Sequence, residues 1–236
     1  MQRKSTIEEI KERFDNDVER FSNLETGQVS TVDSVLSLEL ITQSAKKLCP
    51  QAKKLLDIGC GAGNYTIKML SEIPDLDCTL IDLSFPMLNR AKERISPLTS
   101  GKITIIQNDI RSVELEDEKY DIILAGAVLH HLRDDDDWES VFTQLFKALR
   151  HGGCLMISDL IRQESDILKD YFTERYANYL ANMGGSDYAQ KVLDYIEKED
   201  SPRSLNYQLE LMKKVGFSKV DILHKNICFA AYCGIK

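Results

Sequence analysis

Nowhere in the 236 residues does an apolar run approach the roughly 20 residues needed to cross a bilayer, so no membrane-spanning helix is expected. The start, Met1-Gln-Arg-Lys-Ser-Thr-Ile-Glu-Glu, has basic residues with no apolar stretch behind them. That pattern is not a secretory leader, and the cytoplasm is the expected location. Six cysteines (Cys49, Cys60, Cys78, Cys154, Cys228 and Cys233) include no Cys-x-x-Cys pair, which argues against a zinc site or a disulfide framework. Small buried hydrophobes are their expected role. Cys228 and Cys233 fall within an expected strand, an odd number of residues apart, and should face opposite sides of it. Basic charge is also short, with 30 Lys and Arg against 38 Asp and Glu and a net charge of −8. A protein that grips nucleic acid by counterion release usually carries a basic face, so a polyanionic partner is not expected. Internal repeats and low-complexity segments are missing too.

What remains has the composition of an ordinary globular chain, 43% hydrophobic and 29% charged, and a length that suits one domain with a small cap. Ile7, Ile10, Phe14, Val18 and Phe21 recur at helical spacing, and Thr31 to Leu48 predicts a second helix ended by Pro50. Short apolar strands then alternate with amphipathic helices, the pattern of a parallel sheet covered on both faces. The strands are Lys54-Leu-Leu-Asp-Ile, Cys78-Thr-Leu-Ile-Asp, Ile103-Thr-Ile-Ile-Gln, Tyr120-Asp-Ile-Ile-Leu-Ala and Cys154-Leu-Met-Ile-Ser-Asp. Helices are expected at Asn64 to Ile73, through Met87 to Ile95, and from Asp136 to Leu149. A helical stretch from Arg162 to Ser201 interrupts the alternation before a last helix, Leu205 to Val215. Strands at Val220–Leu223 and Cys228–Cys233 are close enough for a hairpin, hence an antiparallel pair at one edge.

The sharpest local signal is Asp57-Ile-Gly-Cys-Gly-Ala-Gly between a strand and a helix. Glycines there allow positive φ and close approach of backbone to a ligand. A dinucleotide fingerprint would continue to glycine at position 64, where this chain has Asn64, so a nicotinamide or flavin enzyme is disfavoured. Asp82 ends the second strand, where a carboxylate faces the crevice at the sheet's carboxyl edge and can accept both hydroxyls of a ribose. Alone it reads equally as a helix cap or loop acid. A strand-end acid of this kind is expected to matter for the ligand and not for the fold. Gln107-Asn-Asp-Ile after the third strand offers polar atoms to a base and an apolar side chain to its ring.

Taken in order, Leu55-Leu-Asp-Ile-Gly-Cys-Gly-Ala-Gly-Asn-Tyr, Leu80-Ile-Asp-Leu-Ser-Phe-Pro-Met-Leu, Asn108-Asp109, Tyr120-Asp-Ile-Ile and Leu149-Arg-His-Gly-Gly resemble the successive motifs of class I S-adenosylmethionine-dependent methyltransferases. The resemblance spans Lys53 to Asp159 and implies a Rossmann-like, doubly wound α/β fold. Its sheet is seven-stranded and mostly parallel with an antiparallel edge strand, joined by N-terminal helices and a helical cap insertion. The implied organisation is one domain over residues 1–236. It comprises an N-terminal helical lid (1–50), a cofactor-binding core (53–159), the cap (162–201), and a final helix with the edge hairpin (205–236). The implied cofactor is S-adenosyl-L-methionine. Gly59, Cys60 and Gly61 would lie along its methionine and ribose, with Asp57 holding the turn or the amino group. Asp82 would take the ribose, Leu83 or Met87 would cover adenine, Asp109 and Ile110 would contact the base, and Ala125-Gly126 would border the sulfonium.

Methyl transfer from a sulfonium asks the protein mainly to exclude water and align the acceptor, so no catalytic constellation need be visible. A base is required only for an acceptor protonated at the working pH. His130 is the one candidate, as a neighbour of the cofactor or as that base, while His131 is expected to pack locally. Asp134 to Asp137 reads as the capped, dipole-favoured start of a helix, and no metal site is expected. Tyr171, Phe172, Tyr176, Tyr179 and Tyr188 read as packing of the cap or, alternatively, as the lining of an acceptor pocket. A small-molecule acceptor is the expected partner, and the sequence is compatible with a homodimer.

Arg13-Phe-Asp and Leu211-Met-Lys-Lys-Val-Gly-Phe resemble the branch that contains carboxy-S-adenosylmethionine synthase. In that branch a cap arginine after a Gln-Lys step pairs with the extra carboxylate. Here Gln190-Lys191 is followed by Val192, which offers no bidentate partner. The plain methyl sulfonium is therefore the expected donor. A cofactor-binding module without turnover is the alternative from outside enzymology.

Overall fold

A computed structural model describes residues 3–23 and 28–236. Met1 and Gln2 of the basic start, and residues 24–27 of the expected lid, lie outside the described residues. Seven strands form one sheet: β1 (Lys54–Ile58), β2 (Asp77–Asp82), β3 (Ile103–Gln107), β4 (Tyr120–Gly126), β5 (Leu149–Leu160), β6 (Lys219–Asn226) and β7 (Phe229–Ile235). Their order is β3-β2-β1-β4-β5-β7-β6. The first five strands are mutually parallel, and β7 runs antiparallel to both β5 and β6. The order reverses between β1 and β4, the place where open α/β sheets leave a crevice beyond the strand ends.

The central strands β1, β2 and β4 are mostly apolar because both faces are covered, as a parallel sheet requires, whereas the edge strand β6 is largely exposed. Successive side chains go to opposite faces. Leu56, Ile58, Ile123, Leu155 and Ile157 join Trp138, Phe142 and Met212 on one side. Leu55, Leu80, Ile122, Leu124 and Met156 join Ile41, Met69 and Leu88 on the other. The covering helices are α3 (Ser34–Leu48), α4 (Asn64–Glu72), α5 (Phe85–Ile95), α6 (Asp135–Ala148) and α8 (Leu205–Val215). Side-chain caps start several of them: Ser84 accepts from the Met87 amide, Asp134 from Asp137 and Ser204 from Tyr207. Two of the acids after Asp134 also have protein partners. Asp137 accepts from the Arg133 amide at 2.9 Å, and Asp135 pairs with Arg203 at 2.9 Å.

Short helices α1 (Ile7–Asn16) and α2 (Val18–Phe21) precede the core, and α1 opens on a capping box between Thr6 and Glu9. The segment between β5 and α8 is one helix, α7 (Asp166–Glu199), broken at Gly185 where φ is 85°. Three local expectations change. The second helix starts at Ser34 because Asp33 takes a left-handed conformation (φ 56°). β5 begins at Leu149, so His151-Gly152-Gly153 belongs to the strand. Cys228 sits in the turn between β6 and β7, outside the strand that holds Cys233, so strand alternation does not relate the two. No described helix is long and apolar enough to cross a membrane.

Candidate functional site

The glycine turn runs from β1 into α4 with Gly59 at φ 61° and Gly61 at φ 50°. A Cβ on Gly59 would lie 2.4 Å from the Val128 side chain, so a glycine is required there by packing as well as by backbone conformation. A Cβ on Gly61 would meet nothing within 4 Å among the described residues, which leaves space above the turn for a ligand. Asp57 is buried and accepts the Thr66 hydroxyl at 2.7 Å, tying β1 to α4 beneath the turn. Burial, opposed by the Thr66 bond, raises its pKa to about 7.

Asp82 is also buried, at 9% exposure, which corrects the expectation that it stands outside the fold's own bonding. One carboxylate oxygen accepts the Gly61 amide at 2.8 Å and the other accepts the Ser84 amide at 2.8 Å. It thus staples the turn to the start of α5. Burial raises its pKa to about 6 against those backbone bonds. Each oxygen keeps a further acceptor site, enough for the two hydroxyls of a ribose. Open space over Gly61, backbone amides and this carboxylate suit the sugar and methionine portions of S-adenosylmethionine.

The remaining predicted residues scatter. Cys60 is buried beside the turn, and Leu83 is partly exposed with its carbonyl accepting Gln107 at 3.0 Å. Met87 is fully buried, so Leu83 has the free surface of the two. Asp109 faces Arg111, whose guanidinium outweighs burial and holds its carboxyl below the usual range. Ile110 packs in the core beside Ile81 and Val113. Ala125 is buried and Gly126 partly so; Ala127, at φ 53°, is the residue of this strand end that lines a cavity.

That cavity, about 680 Å³, lies between the carboxyl ends of β4 and β5, the N-terminal helices and α7. His130 lines it, 9% exposed, with Nδ1 against the carboxylate of Asp159 on β5. Asp159 also accepts the Leu129 amide at 2.7 Å and the Leu160 amide at 2.7 Å, so its position is set by the backbone. Asp200, just past α7, lies 3.7 Å from His130 Nε2 and 3.3 Å from His131 Nδ1. Burial pulls the His130 pKa down, but the two carboxylates overcome it and raise it to about 9. Burial together with the neighbouring cations, His130 first, keeps His131 neutral, well below its usual value.

The cap aromatics divide. Tyr176 and Tyr188 line the cavity; Tyr176 donates to the Ser30 carbonyl at 2.8 Å and Tyr179 to Val29 at 2.9 Å, fastening α7 to the segment before α3. Tyr171 is half-exposed and pairs with Phe172 away from the cavity. Sequence reasoning missed Arg13 and Tyr195, which meet across this space: Arg13 bonds to the Tyr195 hydroxyl, pairs with Glu199 at 2.8 Å and stacks on the Tyr195 ring. It also missed Tyr65, Ser158, Asp159 and Asp200. A polar strand end in an apolar run (Ser158-Asp159) was the available signal.

The family model described as "Methyltransferase domain" matches residues 55–153, which include the glycine turn, Asp82 and β4. A carboxy-S-adenosyl-L-methionine synthase of Helicobacter pylori is 28% identical over 197 residues, covering 82% of this chain and 80% of its own. A second such synthase, of Nautilia profundicola, is 24% identical over 85% of this chain and 84% of its own. The malonyl-[acyl-carrier protein] O-methyltransferase of Priestia megaterium is 26% identical over 63% of this chain and 50% of its own. Among solved structures, an O-methyltransferase family protein from Burkholderia thailandensis superposes with a TM-score of 0.67 at 14% identity, covering 95% of this chain and 61% of its own. The sheet order, the turn with its paired acids and the matched domain agree: residues 55–153 match a methyltransferase domain, the fold is Rossmann-like, and the chain is similar over most of its length to enzymes that use S-adenosylmethionine.

Proposed function

We propose that the chain methylates a small molecule held in the cavity over β4 and β5. The observation that carries this reading is the cavity itself. Its volume suits a small ligand, and its walls combine aromatic rings with a few buried polar groups. S-adenosylmethionine, when bound, supplies a sulfonium methyl for in-line transfer to a nucleophile. The Gly61 amide and Asp82 hold the donor's sugar in this reading, with Gly59 and Cys60 along its methionine. Tyr65, which interacts with Ser158, and Ala127 line the acceptor space on the side of the glycine turn in this reading. α1 and α7 close over the space through Arg13, Tyr195 and Glu199 and keep out water.

His130 holds a proton at neutral pH between Asp159 and Asp200, so it does not serve as a free base in this arrangement. The acceptor is then one that needs no base, or one whose proton leaves by another route. The acidic balance of the chain supports a small molecule over RNA or DNA.

A second reading, carboxy-S-adenosylmethionine synthase-like chemistry, is favoured by the names of the relatives and by one structural observation. Lys191 and Val192 both line the cavity, so a lysine ammonium is available where the branch would use an arginine. A lysine is a point charge and does not reproduce bidentate pairing, which keeps the plain methyl donor as the preferred reading. Calorimetry with S-adenosylmethionine and its carboxylated form, alongside mass spectrometry of the ligand that co-purifies, decides between them. Tighter binding of the plain form is expected, and clear preference for the carboxylated form would reverse the choice.

A further inference from the structure

Beside the acceptor space, His130, His131 and Asp200 bring one ligand atom each within 4.8 Å of one another. We propose that this cluster is a binding site for a divalent transition ion of the zinc class, open toward the cavity.

Three observations carry it. The first is spacing. Donor atoms around a tetrahedral ion at the usual zinc distances stand about 3.4 Å apart. Asp200 Oδ1 is 3.3 Å from His131 Nδ1 and 3.7 Å from His130 Nε2, so small side-chain adjustments place all three around one ion.

The second is unmet bonding. Asp200 is 4% exposed and, among the described residues, its Oδ1 has no hydrogen-bond partner; neither ring nitrogen of His131 has one there. Leaving buried polar atoms unpaired is costly, and an ion bonded to Oδ1 and one histidine nitrogen removes most of that cost at once. A proton on His130 Nε2 cannot do so, since it leaves His131 without a partner.

The third is the outer layer. His130 directs its other ring nitrogen, Nδ1, at Asp159, which two backbone amides hold in place. A carboxylate behind a ligating histidine fixes the tautomer that presents Nε2 to the metal, which displaces the proton that His130 carries in the metal-free chain. Arg13, the cation facing the cluster from α1, is paired with Glu199 at 2.8 Å, so its charge is partly offset. Arg133, a second nearby cation, is bonded to the Glu199 and Ser5 carbonyls, and Arg111 is paired with Asp109.

All three residues line the cavity, and two histidines with one carboxylate leave a fourth position on that side. That position suits water or an oxygen or nitrogen of the acceptor; only this last point rests on the methyltransferase reading.

The test uses the full chain without an affinity tag, stripped with a chelator. Zinc is titrated by calorimetry and cobalt(II) by absorption spectroscopy, with S-adenosylmethionine binding measured separately. One saturating equivalent of zinc is expected, with cobalt bands of tetrahedral intensity. His131→Ala and Asp200→Asn should abolish the cobalt signal while circular dichroism stays native. Asp159→Asn should weaken zinc by roughly 10–100-fold, the usual effect of losing an outer partner. Absence of saturable binding to the wild-type chain, or equal affinity in the folded variants, would overturn the site. Zinc binding without S-adenosylmethionine binding would leave the site standing and sink the functional reading instead.

Discussion

The two halves of this site are built from different distances along the chain. The glycine turn, Asp57 and Thr66 lie within ten residues of one another, and Asp82 reaches them from the adjacent parallel strand. The cavity half joins Arg13 to Glu199, Tyr176 to Ser30 and His130 to Asp159 and Asp200, contacts that cross up to 186 positions. A half made of neighbours is dictated by backbone conformation, whereas a half made of distant partners exists only once the lid and the cap dock. The first is therefore expected to be sensitive to backbone changes and the second to the loss of single polar partners.

Gly59→Ala is the strongest way to break the first half. It forces a left-handed alanine against Val128, and a loss of at least about 2 kcal/mol is expected in urea unfolding. Gly61→Ala is its control. With no described residue near the added methyl, a cost of only about 1 kcal/mol is expected, yet S-adenosylmethionine should no longer bind in calorimetry. Equal effects at the two positions would show that the space over Gly61 is not the ligand's.

Asp82→Ala is expected to weaken S-adenosylmethionine by about 1.5–3 kcal/mol, the range for hydrogen bonds to a charged group. Because the same carboxylate staples two amides, a lower unfolding midpoint should accompany it. An unchanged dissociation constant would mean that the ribose lies elsewhere.

In the second half, Arg13→Met removes the partner of a buried carboxylate, Glu199. A cost of about 1–3 kcal/mol is expected, with faster proteolysis of the N-terminal helices and intact donor binding. Loss of donor binding with it would show that the two halves are not separable.

The smallest effects concern pH, where the halves should occupy different windows. Asp57 and Asp82 have pKa values raised to about 7 and about 6, so the folded state binds more protons than the unfolded one. Their contribution to stability is whole below about pH 4 and is lost as pH rises through 6 and 7. His130, raised to about 9, contributes fully below its unfolded value near 6.5 and loses that contribution as pH rises through 9. Subtracting the thermal-midpoint profile of Asp57→Asn from wild type should show a slope between about pH 4 and 7. The His130→Gln difference should slope between about 6.5 and 9. A single shared window would contradict the division.

The strand and helix alternation from Lys54 to Asp159 was legible because each element repeats its own period and both faces of a parallel sheet must be apolar. Errors came at ends: Asp33 adopts a left-handed turn that the helical period does not reveal, and Cys228 falls in a hairpin turn because β6 runs on to Asn226 and pairs there with Phe229, leaving Ile227-Cys228 between them. Asp82 was legible as a position but not as a staple, since its partner Gly61 is named only by the packing of β1 beside β2.

What the sequence alone determined is the glycine turn with its acids, and with them the fold and the donor, because local backbone conformation and strand order set those groups in place. Only the tertiary structure decided that Arg13, Asp159 and Asp200 meet around the histidines. Nothing in the local pattern marks them as partners, and their union depends on α1 and α7, distant in sequence, closing over the carboxyl ends of β4 and β5.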